Sequence, residues 1–238
     1  MSGLKSTVPQ YPGGNIRGED CGGVMIAAMQ LPATDRKLVQ IVDASLARAA
    51  EQAGEWLVCR PGCTQCCYGA FAINQLDAAR LRTGMAAMHA AEPTKAEAIE
   101  KRARAWIAEY GAELPGDPET GRLGKSDEEQ ARFEEFATDA ACPALDEETG
   151  LCSVYEWRPM TCRVFGPPVR MEGEAGPDGQ SMDGQRVEGL GHCELCFNGT
   201  TPEQVAECEM PVPHELEARL LEDIGAEGET VVAWALVG

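Results

Sequence analysis

Cys59-Arg60-Pro61-Gly62-Cys63-Thr64-Gln65-Cys66-Cys67 places four cysteines within nine residues, in the spacing C-x3-C-x2-C-C. Pro61 and Gly62 favour a bend in the backbone, which turns successive thiols towards one another. Thiolates clustered in this way are typical metal ligands. We therefore expect the chain to fold back on this stretch and to complete a metal site with cysteines that occur later. Those later cysteines are Cys142, Cys152, Cys162, Cys193 and Cys196.

Length and composition indicate a soluble globular protein. The chain has 238 residues, 44% of them hydrophobic, which is enough to bury a substantial core. Its longest apolar runs, residues 24–29 and 231–237, are too short to cross a membrane. Residues 1–11 lack the basic and then apolar order of a secretory signal, so we expect a cytoplasmic protein with reduced thiols. The 11 cysteines are an odd number, which excludes complete disulfide pairing.

The formal net charge of −19 bears on the partners of the protein. A strongly acidic surface repels nucleic-acid phosphates and anionic lipids, so we expect no general nucleic-acid binding and no membrane role. We interpret the acidic surface mainly as a source of solubility. The expected partner is a metal ion or cluster, and the sequence identifies no protein partner.

The sequence predicts a mainly α-helical fold: a single helical domain with a small β-hairpin and cysteine-rich metal-binding loops. Residues 1–31 are rich in Gly and Pro and predict a flexible N-terminal arm. Residues 32–238 are expected to form the cysteine-cluster metal-binding domain, with its core motif region at residues 59–196.

Capping residues and apolar periodicity locate the predicted helices. The first is expected to run from Asp35 to Ala53 and to end at Gly54. A helix near the C-terminus is expected over residues 213–224. Elsewhere, a Ser, Thr or Asn with an acidic residue three positions later predicts a helix start. These N-capping pairs are Asn74 with Asp77, Thr94 with Glu97, and Ser126 with Glu129.

Two short runs around an acidic turn predict the β-hairpin. Residues 142–145 and 151–154 flank this turn, so the hairpin would bring Cys142 and Cys152 close together.

The segment after the hairpin is predicted to be irregular. Pro159 indicates a sharp turn before Cys162, because proline cannot continue a central strand. Residues 166–191 are polar and rich in Gly, which predicts a long loop that ends shortly before Cys193.

Cysteine thiolates bind zinc or build iron–sulfur clusters, and four thiolates saturate either one. Side chains of consecutive residues tend to point apart. We therefore expect that Cys66 and Cys67 bind two different, nearby metals, or that only one of the two cysteines is a ligand. Two four-sulfur sites and one polynuclear site both remain open. The sequence contains no recognisable nucleophile–base pair, phosphate-binding loop or dinucleotide fingerprint, so enzymatic activity also remains open.

The order of these motifs resembles the YkgJ-like cysteine-cluster family. The resemblance rests on C-x3-C-x2-C-C, then Cys142-Pro143-x-Leu145, then Cys152-x2-Tyr155-x2-Arg158-Pro159-x2-Cys162-Arg163. It covers roughly residues 59–196. The family is described as a zinc- or iron-chelating domain, so the resemblance implies metal ligation by the matched cysteines. The ligands it implies are Cys59, Cys63, Cys66, Cys67, Cys142, Cys152 and Cys162, with Cys193 or Cys196 as the eighth.

Three functions are compatible with this resemblance. The first is a metal- or cluster-binding protein that acts in metal handling, redox chemistry or assembly. The second is an iron–sulfur-dependent enzyme, such as an S-adenosylmethionine-dependent protein lysine methylase, because flagellin lysine N-methylases contain a similar cluster. The third is an interaction module with a purely structural zinc site.

Arg158 and Arg163 flank Cys162 and are the candidate cofactor-binding residues. A guanidinium near a thiolate-bound metal offsets negative charge and donates hydrogen bonds to sulfur. It could instead clamp an anionic substrate, but we favour the first role. His192 is a possible alternative ligand because it precedes a cysteine, although a solvent-facing position is favoured. Cys21 and Cys208 are not expected to belong to the site.

Overall fold

The computed structural model describes residues 31–174 and 186–238. Cys21 and all of the predicted N-terminal arm except Leu31 lie outside these residues. The described part of the chain is mainly α-helical, as predicted, and its strands form two-stranded sheets. The helices are α1 (Asp35–Ala53), α2 (Gln75–Ala91), α3 (Pro93–Tyr110), α4 (Asp127–Glu134), α5 (Met160–Val164), α6 (Pro202–Glu207), α7 (His214–Asp223) and α8 (Val232–Val237).

All the strand pairs in the described residues are antiparallel. The predicted hairpin around the acidic turn is confirmed and is the pair β4–β5. The pairs are β1 (Ala72–Asn74) with β8 (Glu229–Val231), β2 (Gly116–Asp117) with β3 (Arg122–Leu123), β4 (Leu145–Asp146) with β5 (Leu151–Cys152), and β6 (Val169–Glu174) with β7 (Arg186–Gly191).

The main hydrophobic core lies where α2, α3 and α8 pack together. Leu81 from α2 and Ile99 from α3 are fully buried there, and Leu236 from α8 joins the same cluster. The β1–β8 pair holds the C-terminal segment against the start of α2. The last apolar stretch of the chain is therefore part of the core.

Two of the predicted helix starts are confirmed in detail. The Asn74 side chain accepts a hydrogen bond of 2.9 Å from the Asp77 amide at the start of α2. Ser126 and Glu129 form a reciprocal capping box at the start of α4. Each arrangement satisfies amides that have no partner within the helix.

The predicted capping box of Thr94 and Glu97 is wrong. Helix α3 begins at Pro93, and Glu92 precedes it without a capping side-chain hydrogen bond. Proline suits the first helical position because its φ is already helical and its missing amide hydrogen costs nothing there.

The predicted loop over residues 166–191 is also wrong in part. Strands β6 and β7 pair from Val169 with Gly191 to Glu174 with Arg186. This pairing satisfies the backbone of a polar stretch that gives little side-chain signal for a strand. Helix α6 was not predicted, although Thr201 and Gln204 form a capping box around Pro202 at its start.

Helix α1 delivers the chain to the cysteine-rich stretch. It ends at Gly54, as predicted, where φ is +52°. Val42 and Leu38 on its inner face are buried against α7 and Met160 of α5. The chain then continues through a short 3-10 turn, Gly54–Trp56, towards Cys59.

Candidate metal centre

The stretch from Cys59 to Cys67 consists of two tight turns. The Cys63 amide donates to the carbonyl of Arg60 at 2.9 Å, and Gly62 within this turn has φ of +90°. The Cys67 amide donates to the carbonyl of Thr64 at 2.8 Å, in the 3-10 turn Gln65–Cys67. The predicted bend is confirmed, and the second turn separates the last two cysteines from the first two.

The backbone beside Cys67 pairs with the backbone that leads to the β4–β5 hairpin. The Cys142 amide donates to the carbonyl of Cys67 at 2.7 Å, and Tyr68 and Ala141 form an antiparallel bridge. The Leu145 amide in turn donates to the carbonyl of Cys142 at 2.8 Å. Since Leu145 lies opposite Cys152 in the hairpin, the thiols of both segments are brought to one place, as predicted.

These contacts define a second thiol group that adjoins the main core. Burial, with a smaller contribution from the charge of Cys152, raises the pKa of Cys142 to about 12. Burial also raises the pKa of Cys162, to which charge repulsion from Cys142, Cys66 and Cys152 contributes. A hydrogen bond from Cys67 lowers the pKa of Cys66 to about 6. The members of the second thiol group are Cys66, Cys67, Cys142, Cys152 and Cys162.

A first thiol group lies at the end of α1. The Sγ atoms of Cys59 and Cys196 are 3.8 Å apart. Partial desolvation, together with the charges of Cys196, Cys193 and Cys63, raises the pKa of Cys59 to about 12. The Cys59 side chain is exposed, whereas those of Cys193 and Cys196 are buried. The first thiol group consists of Cys59, Cys63, Cys193 and Cys196.

Gly166 fits closely against the first thiol group. A Cβ atom at this position would lie 2.9 Å from Cys59 Sγ, and the φ of Gly166 is +124°. The carbonyl of Gly166 also accepts a hydrogen bond of 3.2 Å from the Cys193 amide. Glycine is needed here because the backbone approaches the sulfur and because its φ is unfavourable for other residues.

The donor set suits a soft metal ion. A tetrahedral site with metal–sulfur bonds of about 2.3 Å places its sulfurs about 3.8 Å apart, which is the separation between the Cys59 and Cys196 sulfurs. Among the described residues, no three His, Cys, Asp or Glu side chains already stand at the spacing of a closed metal site. Ligation by four thiolates in either group therefore involves adjustment of side-chain rotamers.

Arg163 is held by its own protein neighbours. Its side chain is buried and donates to the Asp43 carboxylate at 2.8 and 3.0 Å, and to the backbone carbonyls of Glu156 and Arg158. These bonds use the donors that a substrate clamp would need. They link α1 to the segment that carries Cys162.

The positive charge of Arg158 acts on thiols of the second thiol group. Its guanidinium stacks over the Tyr155 ring, with 3.9 Å between the guanidinium carbon and the ring centroid, and lies 3.7 Å from Asp43. Its positive charge acts to lower the pKa of Cys66 and of Cys152. The position fits the predicted role of offsetting charge beside a thiolate site.

A buried ion network connects α1, α2 and α5 and so supports the second thiol group. This network was not predicted from the sequence. Arg80 of α2 donates to Asp35 at 2.6 and 2.8 Å and also to Asp77. Asp77 accepts a hydrogen bond of 2.9 Å from the amide of Met160, the first residue of α5. Since Cys162 lies in α5, this network fixes its helix to α1 and α2. The i, i+3 spacing of Asp77 and Arg80 was the available signal.

Cys208 and His192 lie beside the first thiol group. Cys208 is buried in a small apolar cluster with Cys193, Cys196 and Phe197, and burial raises its pKa. The His192 ring packs against Phe197 in a tilted arrangement, with 5.2 Å between centroids, and its Nδ1 lies 3.0 Å from the Cys193 carbonyl oxygen. Both residues pack around the cysteines.

Comparison with known protein families agrees with this arrangement. Residues 58–175 match the model of a family, CxxCxxCC, whose description reads "Putative zinc- or iron-chelating domain". The chain carries a CxxCxxCC-family domain. The matched range contains the whole second thiol group and Cys59 and Cys63 of the first, whereas Cys193 and Cys196 lie beyond its end. No curated protein and no solved structure matches the chain.

The match to the CxxCxxCC family supports metal binding by this chain in general. Within the described residues, none of the helices has the length and apolar character that crossing a membrane requires.

Proposed function

We propose that the chain is a thiolate-ligated zinc- or iron-binding protein that acts in the cytoplasm in metal handling, redox chemistry or assembly. The observation that carries this proposal is the gathering of nine cysteines, from segments far apart in sequence, into two adjoining groups, with seven of the nine inside the family-matched range. Such convergence of free thiols is unusual unless they share a ligand. The proposed ligands are the members of the first and second thiol groups.

The electrostatics of both groups favour a bound cation. Partial or full loss of hydration makes isolated thiolates costly, which is the main reason that the pKa values of Cys59 and Cys142 rise to about 12. A soft metal ion compensates this cost by direct bonds to sulfur and displaces the thiol protons. Arg158 adds positive charge near Cys66 and Cys152.

The geometry gives less support to an enzyme that uses S-adenosylmethionine. A cofactor of that size needs a cleft of several hundred Å³ next to its reacting group. A cleft of about 290 Å³ lies between α4 and the β2–β3 pair and is lined by Leu123, Glu129 and Phe133, with no cysteine in its wall. We therefore place metal handling ahead of the methylase.

Metal analysis of anaerobically purified full-length protein, combined with its absorption spectrum, tests the proposal. We expect bound zinc or iron, with visible sulfur-to-iron charge-transfer bands where iron–sulfur clusters are present. Protein that is folded, reduced and free of both metals after expression in metal-supplemented medium would contradict the proposal. Saturable binding of S-adenosylmethionine in calorimetry would instead favour the enzyme.

Single substitutions test the ligand assignment. Cys63→Ser and Cys152→Ser each replace a soft thiolate by a hard hydroxyl and should lower the metal content. Cys208→Ser is the control, because Cys208 is buried beside the first thiol group but is not a proposed ligand. Metal loss in Cys208→Ser equal to that in Cys63→Ser would show that the proposed ligand set is wrong.

A further inference from the structure

The two thiol groups are attached to different parts of the protein. Cys142 and Cys152 of the second group pack against the main core formed by α2, α3 and α8. Cys193 and Cys196 of the first group belong instead to a small apolar cluster with Ala53 at the end of α1. Each group thus has its own supporting scaffold.

The backbone between Cys63 and Cys66 separates the groups. The turn closed by Cys63 faces the hairpin turn of Gly150, where a Cβ atom would lie 3.4 Å from Gly62. The following 3-10 turn carries Cys66 and Cys67 to the strand-like pairing with Cys142. Within the first group, the Sγ atoms of Cys59 and Cys196 are 3.8 Å apart although the residues are 137 positions apart in sequence.

The first group has the four sulfur donors of a tetrahedral site, and two short turns supply them. Cys59 and Cys63 flank the turn closed by the bond from the Cys63 amide to Arg60, and the Cys196 amide closes an equivalent turn on the Cys193 carbonyl at 2.9 Å. Just beyond Cys63, Gln65 Nε2 donates a hydrogen bond of 2.7 Å to Glu194 Oε1, which holds the Cys193–Cys196 turn to the stretch that follows Cys63. Two short cysteine turns that face each other are the usual construction of a tetrahedral thiolate site.

We propose that the chain builds two separate metal sites, and that Cys59, Cys63, Cys193 and Cys196 form one of them, a tetrahedral site for a soft divalent ion such as zinc or ferrous iron. The inference rests on the proposed metal-binding function. Half of this site comes from Cys193 and Cys196, which lie outside the range that matches the CxxCxxCC family. The second thiol group holds its metal independently, within the CxxCxxCC domain.

Paired double variants of the full-length, anaerobically purified protein test the separation. Cys193→Ala/Cys196→Ala and Cys59→Ala/Cys63→Ala remove opposite halves of the first site, so both should lose the same part of the metal and retain the rest. Cys142→Ala/Cys152→Ala should lose the complementary part. Metal content is measured per chain, and X-ray absorption should show all-sulfur coordination for the metal that remains. Cys208→Ala, which alters the same apolar cluster, is the control and should keep the full metal content.

The outcomes distinguish this inference from the proposed function. Wild-type protein without metal would overturn the proposed function itself. Metal-loaded wild type whose Cys193→Ala/Cys196→Ala variant keeps its helical circular dichroism but loses all metal would overturn only the two-site inference, in favour of one polynuclear site. Unequal losses in the two variants of the first site would overturn the assignment of its four ligands.

Discussion

Arg158 and Arg163 are five residues apart in sequence, and their guanidinium groups both lie near Asp43 but otherwise meet different neighbours. Arg163 is fixed by Asp43 and by two backbone carbonyls. Arg158 has the Tyr155 ring on one side and affects the pKa of Cys66 and Cys152. These contacts make Arg158 the better probe of the metal site.

Replacement of Arg158 by Gln should weaken metal binding at the second thiol group. The loss of positive charge makes the thiolates of Cys66 and Cys152 more costly, and removal of such a supporting residue lowers metal affinity by about 10- to 100-fold. Competition with a chelator measures this change. Arg158→Lys, which keeps the charge, should retain most of the affinity. If Arg158→Gln binds metal as the wild type does, the guanidinium does not support the site.

Replacement of Arg163 by Gln should act on stability instead. The variant loses charged hydrogen bonds to Asp43 and to two carbonyls, each worth about 1.5–3 kcal/mol in favourable cases. Because Asp43 is half exposed, we expect the lower end of that range for its bond. Urea unfolding of metal-loaded protein measures the loss. An unchanged free energy of unfolding together with lost binding of an anionic small molecule would favour the substrate-clamp role.

At the scale of elements, α2 is the support for the cysteine-bearing segments. Its Arg80 joins Asp35 of α1, and its Asp77 holds the first amide of α5. Asp77 is almost completely buried, and this burial raises the pKa of its carboxyl to about 6 despite the neighbouring guanidinium. The folded protein therefore binds a proton at Asp77 more tightly than the unfolded chain does.

This pKa predicts a pH-dependent contribution to stability. A carboxyl whose pKa is raised on folding stabilises the fold fully below its unfolded pKa of about 3.9, and the contribution is lost as the pH rises through the folded pKa. Between pH 5 and 7, the wild type should lose about 1.4 kcal/mol from this group. The free energy of unfolding of Asp77→Asn should not show this loss between pH 5 and 7. Substitution of the exposed Asp139 by Asn should leave the loss unchanged. The free energy of unfolding is measured with urea at each pH. An equal decrease with pH in the wild type and in Asp77→Asn would contradict the prediction.

The elements that could be predicted from sequence are those with local signals. Asn74 and Ser126 cap their helices through residues three positions away, so a short window of sequence contains the whole interaction. The β6–β7 pairing joins backbone segments with no such local signature. The division of the thiols could not be predicted either, because Cys59 and Cys196 are 137 positions apart and spacing does not show which thiols face each other.

At the scale of the whole molecule, regular packing and cysteine-rich segments occupy different regions. Helices α2, α3 and α8 bury large apolar side chains, including Leu81, Ile99 and Leu236. The segment from Cys142 to Val164 contains short elements instead: a two-residue strand pair, a 3-10 turn and the five-residue α5. Such short elements provide few apolar contacts of their own, so their order depends on neighbours and on ligands.

Metal removal should therefore loosen the cysteine-bearing segments before it affects the main helices. Thiolate ligation of zinc contributes about 10–16 kcal/mol of apparent free energy in small domains, far more than the packing of α5 or of the β4–β5 hairpin supplies. Hydrogen exchange followed by mass spectrometry, with and without a chelator, measures the effect. We expect amides of residues 142–164 and 186–196 to lose protection, while those in α2, α3 and α8 retain most of theirs. Restored protection after metal is added back is the control, and equal protection of all segments with and without metal would show that the fold does not depend on the metal.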